Sequence, residues 1–177
     1  MKTKKEIRKF YKNIIKSKDL TFVCEDIRDI IDCDNIGIYL NIKNEISLDN
    51  IIGDIKASIY VPYMKDDGSS LIKNALFEFH KYEGVLCFDD FNIPSSNGSC
   101  IDVDMLDVVI CPGICFNKKG YRLGYGAACY DKILANFKGK IIGVCFEDCL
   151  IDYDFQEGHD VRVDYIVTEK RLYSIKE

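Results

Sequence analysis

Along residues 4–17 the apolar side chains Ile7, Phe10, Tyr11, Ile14 and Ile15 recur at three- and four-residue intervals with lysines between them. That period predicts an amphipathic helix. Leu20, Val23, Ile27 and Ile31 continue the same spacing and predict a second helix over residues 19–31. Residues 35–42 then read as a short apolar strand, Ser47 as the N-cap of a helix reaching residue 55, and residues 58–61 as another strand. The middle is less regular. Asp66-Asp67-Gly68-Ser69-Ser70 is a turn sequence, and in residues 75–82 Leu76, Glu78 and His80 alternate with Phe77 and Phe79, as on a strand with one buried face. Residues 94–99, rich in serine, are expected to form a mobile surface loop. Further on, residues 107–111 form an apolar run stopped by Pro112-Gly113. Residues 130–137 read as a helix, 140–146 as a buried strand and 162–168 as a last strand. Helices alternating with short apolar runs predict an α/β fold with a mostly parallel sheet covered on both faces.

The chain has 177 residues, of which 47% are apolar and 30% charged, enough for one domain with one sizeable core. No repeat, low-complexity tract or linker divides it. A net charge of −5 argues against broad nucleic-acid binding and against an anionic membrane surface, so any phosphate site must be local. No apolar stretch approaches a membrane span and the polar opening lacks a signal-peptide core, which predicts a cytoplasmic protein. The nine cysteines are odd in number and scattered among apolar segments, so they read as free thiols behaving as small hydrophobes. The pairs Cys111/Cys115 and Cys145/Cys149 have three intervening residues rather than two, and His80 and His159 stand alone, so spacing disfavours zinc.

Candidate chemistry concentrates in residues 107–134. Gly120, Gly124 and Gly126 follow the strand ended by Pro112-Gly113, with Arg122 among them and a helix expected next. Backbone N–H groups ahead of a helix can seat an anion, a guanidinium can grip it, and Asp131 in the first turn can hold an ion on a bound phosphate. No Gly-Lys-Ser/Thr ending is present, so this is not a Walker A loop, and Gly124–Cys129 is a poor dinucleotide fingerprint. Lys4 and Arg8, four residues apart, share a helix face and can grip one phosphate together. Cys129, near Arg122 and a helix start, is a conceivable thiolate, although packing is the simpler role.

Pro112-Gly113, Phe116, Gly120-x-Arg122-Leu123-Gly124-Tyr125-Gly126, Tyr130-Asp131 and Leu134 together resemble the signature of the 5-formyltetrahydrofolate cyclo-ligases, also called methenyltetrahydrofolate synthetases. Lys4-x-x-x-Arg8, Leu40 with Glu45, and residues 159–169 match that family in the same order. The resemblance implies a single α/β/α domain over residues 1–177, of the NagB/RpiA/CoA transferase-like kind, as a monomer or weak homo-oligomer. It also implies ATP and Mg2+ as cofactors and a folate substrate. ATP would then be held by Lys4, Arg8, Arg122, Leu123, Gly124, Tyr125, Gly126, Ala127, Ala128, Cys129 and Tyr130, with Lys4 and Arg122 catalytic. Folate would lie on Leu40, Glu45 and the stretch from Tyr125 through Cys129, and the metal on Asp131 and Asp164. The chain departs from the pattern at Ala127, Ala128 and Cys129, where the family usually has glycine or lysine, glycine and an aromatic. Asn117 replaces a common aspartate, and no glutamate precedes Pro94. These departures motivate a second expectation, a non-catalytic relative that binds folate or a nucleotide as a regulator. A sugar-phosphate or acyl-CoA enzyme is a third, resting on fold analogy alone.

Overall fold

The computed structural model describes residues 3–19 and 21–175. Its first helix, α1 (Lys4–Ile15), begins at a capping box in which the Thr3 side chain accepts from Glu6 N–H and the Glu6 carboxylate accepts from Thr3 N–H. Ile7 and Ile15 are its buried residues. In chain order there follow β1 (Asn35–Gly37), α2 (Asp49–Ile52), β2 (Ser58–Lys65), β3 (Leu76–Lys81), β4 (Cys87–Phe88), β5 (Pro94–Ser95) and β6 (Cys100–Ile101). The second half carries β7 (Val108–Pro112), β8 (Cys115–Asn117), β9 (Arg122–Leu123), α3 (Cys129–Ile133), β10 (Lys140–Val144), β11 (Leu150–Ile151), β12 (Tyr165–Val167) and β13 (Leu172–Ser174).

The main sheet runs β13-β12-β10-β7-β1-β2-β3-β6. Neighbours from β12 through β2 are parallel, and β13, β3 and β6 extend the two edges antiparallel. Val108, Val109, Ile110 and Cys111 of β7 are all buried, as expected of an interior parallel strand covered on both faces. A small sheet, β11-β8-β9, stands beside the main one and carries the arginine loop. The mostly parallel α/β architecture is thus the expected one. Following the chain, β1 leads to β2 on one side, and the path later returns to place β7 on the other. Such a reversal opens a crevice at the carboxyl ends of the strands.

Three local expectations are overturned. Residues 19–31 are not one helix: Phe22 bridges Ser47, Val23 N–H donates to Ser47 O, and a 3-10 turn is confined to Glu25–Ile30. The β-branched and aromatic run Thr21-Phe22-Val23 suits an extended pairing once a partner strand is available; Leu20 lies outside the described residues. Ser47 sits one residue before the N-cap, its Oγ accepting from Asp49 N–H at 3.1 Å, and α2 stops at Ile52. Residues 94–99 are no loose loop. Ser95 and Ser96 are buried, their hydroxyls donating to Pro62 O (2.6 Å) and Lys81 O (2.7 Å). Serine content marked a turn, but two satisfied buried hydroxyls make it an anchored one.

Candidate active site

A cavity of about 350 Å³ opens at the carboxyl ends of β1, β2 and β7. Arg122 projects into it from β9 and is 9% exposed. Its Nη2 donates to Asp131 Oδ2 at 2.7 Å, and both side chains are close to fully buried. The guanidinium lies 5.2 Å from the Tyr130 ring centroid, within cation–π range. Gly124 is required for this placement, because a β-carbon there would lie 2.3 Å from Arg122 Nη1. The loop then turns through Gly126 (φ +117°) and Ala128, which adopts left-handed backbone at φ 54°, ψ 27°. Ala128 therefore takes a conformation that favours glycine while carrying a β-carbon.

Helix α1 closes one wall. Arg8 Nε donates to Gly124 O at 2.8 Å, tying helix to loop. Lys4 Nζ donates to Asp160 Oδ2 at 2.7 Å and lies 3.2 Å from Glu157 Oε2. Val161 N–H, next in sequence to Asp160, points to Asp131 Oδ1 at 3.4 Å. Three cations and two buried carboxylates thus meet around one space.

Part of the lining is apolar, formed by Leu40, Met64, Phe77 and Ile93 among others, with Phe77 packed edge-on against Tyr130 at 4.9 Å. Glu45 stands among these groups. Burial pushes its carboxyl up to about 7, against the opposing pull of a backbone bond from Ile42, a hydrogen bond from Tyr125 and the charge of Arg122. Part of its surface still opens onto the cavity, so it is desolvated without being sealed. Tyr125 is pushed upward by its own burial and by Glu45, while Lys12 Nζ lies 4.8 Å from its ring centroid.

Lys4, Arg8, Leu40, Glu45, each residue from Arg122 through Tyr130, and Asp131 all line the cavity. Asp164 does not, so the structure does not bring the expected metal pair together. It precedes β12 at the amino end of the sheet, where its carboxylate accepts from Ile141 N–H at 2.7 Å. Asp107 does the same for Asp34 and Asn35 N–H at that end. Strand-initial N–H groups need acceptors, and a motif match does not reveal which end of a strand its aspartate occupies. Asp160, four residues earlier in the same motif, does line the cavity with Asp131.

Cys129 borders the cavity half-buried. Burial raises its thiol pKa despite nearby Lys132 and Arg122, so it is not the stabilised thiolate that its position suggested. Sequence reasoning also missed Tyr39, whose buried hydroxyl donates to Ile46 O at 2.6 Å, and the hub residue Asp89. The Asp89 carboxylate accepts from Met64, Phe91 and Ile93 N–H and so fixes the segment presenting Ile93 and Pro94 to the cavity. Turn-forming Asp-Asp-Phe-Asn was the one signal available for it.

The profile of the 5-formyltetrahydrofolate cyclo-ligase family matches residues 8–169. The chain belongs to this family. A 5-formyltetrahydrofolate cyclo-ligase of Mycolicibacterium smegmatis is 27% identical over 130 residues, covering 70% of this chain and 66% of that relative, just under two thirds of its length. Among solved structures, the Aquifex aeolicus 5,10-methenyltetrahydrofolate synthetase superposes with a TM-score of 0.75 at 22% identity, covering 98% of this chain and 93% of that one. The Mycoplasma pneumoniae 5,10-methenyltetrahydrofolate synthetase does so with 0.73 at 19%, covering 94% and 99%. At such identities the structures speak for the fold. The cyclo-ligase profile includes Arg8, Glu45, the arginine loop, Asp131 and Asp160, and begins after Lys4.

Proposed function

We propose that this protein closes 5-formyltetrahydrofolate to 5,10-methenyltetrahydrofolate at the expense of ATP, releasing ADP and phosphate. The observation that carries the reading is the meeting of Lys4, Arg8, Arg122 and the glycine loop with Asp131 and Asp160 in one cavity whose lining also includes apolar side chains and Glu45. A formyl oxygen is a poor leaving group. In the proposed reaction the γ-phosphoryl group passes to that oxygen, N10 attacks the activated carbon, and the oxygen departs as part of phosphate. The protein's share is alignment and charge neutralisation.

Lys4 and Arg122 bond Asp160 and Asp131. A bound triphosphate would give both cations stronger anionic partners, and Asp131 and Asp160 would then be the residues to hold a divalent ion. Their buried oxygen donors fit Mg2+, which prefers carboxylate and water ligands and supplies neutralisation of charge on phosphate oxygens. The pteridine ring belongs on the apolar part of the lining, and a protonated Glu45 near neutral pH can donate to a ring acceptor as well as accept. Ala128 keeps a left-handed turn without glycine, so the departure from the family pattern at this position does not by itself re-route the loop.

The test is direct. Purified protein with 5-formyltetrahydrofolate, ATP and magnesium is expected to generate the near-ultraviolet absorbance of methenyltetrahydrofolate, dependent on each component. No product at high enzyme concentration rejects the proposal, and tight ligand binding measured by calorimetry without turnover then selects the regulatory reading.

A further inference from the structure

Spacing along the chain disfavoured zinc, but sheet register brings together residues that spacing keeps apart. Glu78 and His80, two apart on β3, project from the same face, and Cys100 of β6 is the registered cross-strand partner of His80. One carboxylate oxygen, one ring nitrogen and the Cys100 sulfur lie within 4.8 Å of one another. We propose that Glu78, His80 and Cys100 form a binding site for a thiophilic divalent transition ion of the zinc type, away from the cavity described above.

Four observations carry this. The donor set is one carboxylate, one imidazole and one thiol, a mixture that zinc accepts and that magnesium or calcium does not. His80 Nε2 and Glu78 Oε2 are 2.9 Å apart. Two donors bound at about 2.0 Å in a tetrahedron are separated by about 3.3 Å, so small side-chain adjustments admit an ion between them. The ring is already oriented: Tyr63 stacks on it with centroids 4.5 Å apart and planes 12° from parallel. Its Nδ1 is buried and has no hydrogen-bond partner among the described residues, so Glu78 does not exhaust the donor and acceptor capacity of the ring.

Charge and access agree. With the thiol deprotonated, Glu78 and Cys100 supply two negative charges to a dication, and binding releases the thiol proton to solvent. Cys100 is exposed, which gives the ion a way in and leaves a fourth position for water. An ion there ties the two-residue edge strand β6 to β3, stiffening the segment that begins at the cavity-lining Ile93 and Pro94.

The experiment uses the whole chain, stripped of metal. Cobalt(II) is expected to give a thiolate charge-transfer band in the near ultraviolet that Cys100→Ser removes, and His80→Ala is expected to weaken zinc binding by about tenfold or more in calorimetry. On the unaltered protein, zinc is expected to slow alkylation of Cys100, read peptide by peptide in a mass spectrometer. A cobalt band undiminished in Cys100→Ser, or alkylation of Cys100 at one rate with and without zinc, overturns the site and leaves Glu78 and His80 as a plain hydrogen-bonded pair. Neither readout involves folate or ATP, so failure here is distinct from failure of the proposed reaction.

Discussion

At the residue scale, Arg122 and Asp131 show why a motif reading of single side chains falls short. The arginine loop was legible from Gly-x-Arg-x-Gly, but the burial of the guanidinium against its own aspartate was not. Removing one member of a buried pair leaves the other uncompensated, at a cost of roughly 3–5 kcal/mol. Arg122→Ala is therefore expected to lower the melting temperature strongly as well as to abolish turnover. The double variant with Asp131→Asn is expected to recover much of the stability and none of the activity, a separation that thermal melts and the absorbance assay read independently. Ala128 offers the opposite case. A left-handed alanine is strained by about 1–2 kcal/mol, and glycine relieves that strain while adding unfolded-state entropy. Ala128→Gly is expected to gain about 0.5–1 kcal/mol in urea titration and to leave turnover unchanged, because the path of the loop already exists.

At the scale of elements, the central strands β7 and β10 were read well, whereas the expected runs 35–42 and 162–168 hold only the three-residue strands β1 and β12, and short connecting pieces were read poorly. The runs 107–111 and 140–146 are continuous apolar stretches whose partners matter little, and the observed β7 and β10 fall inside or within a residue of them. Residues 19–31 failed because an apolar stripe at helical spacing was outweighed by pairing of Phe22 with Ser47, a partner 25 positions away that no local period reveals. The cavity's cations were legible, since helix α1 and the loop each carry a spacing signal; its acidic pair was only half legible, because Asp160 and Asp164 share one motif and only topology separates them.

The turn bearing Glu45 carries a pH prediction. Its carboxyl is raised from about 4.5 to about 7 by burial, so between those values the unfolded chain gives up a proton that the folded chain keeps. This group therefore lowers stability progressively as pH rises through that window, and its penalty is complete above it. Glu45→Gln is expected to be more stable than the unaltered protein at pH 8, by on the order of 1–2 kcal/mol, and equal to it near pH 4. Denaturant midpoints at the two pH values decide it; a difference independent of pH would show that folding leaves the pKa of Glu45 unchanged.

For the whole molecule, the cysteines act as core material. Cys111, Cys115, Cys145 and Cys149 are buried, and burial holds Cys111 up at about 11 and Cys149 at about 12. Rapid labelling of the folded protein by a thiol reagent is expected to reach at most five of the nine thiols, the nine less these four, with the remainder appearing only as the sheet unfolds. Mass spectrometry before and after urea counts them.

The contacts of α1 have a consequence for how the chain is made. Arg8 and Lys4 reach partners 116 and 156 positions further on. A ribosome releases the chain from its amino end, so the helix waits for these two contacts until partners more than a hundred positions further on have emerged. A segment made early is thus completed late, and this wall of the cavity closes only after the turn bearing Glu157 and Asp160 has been made.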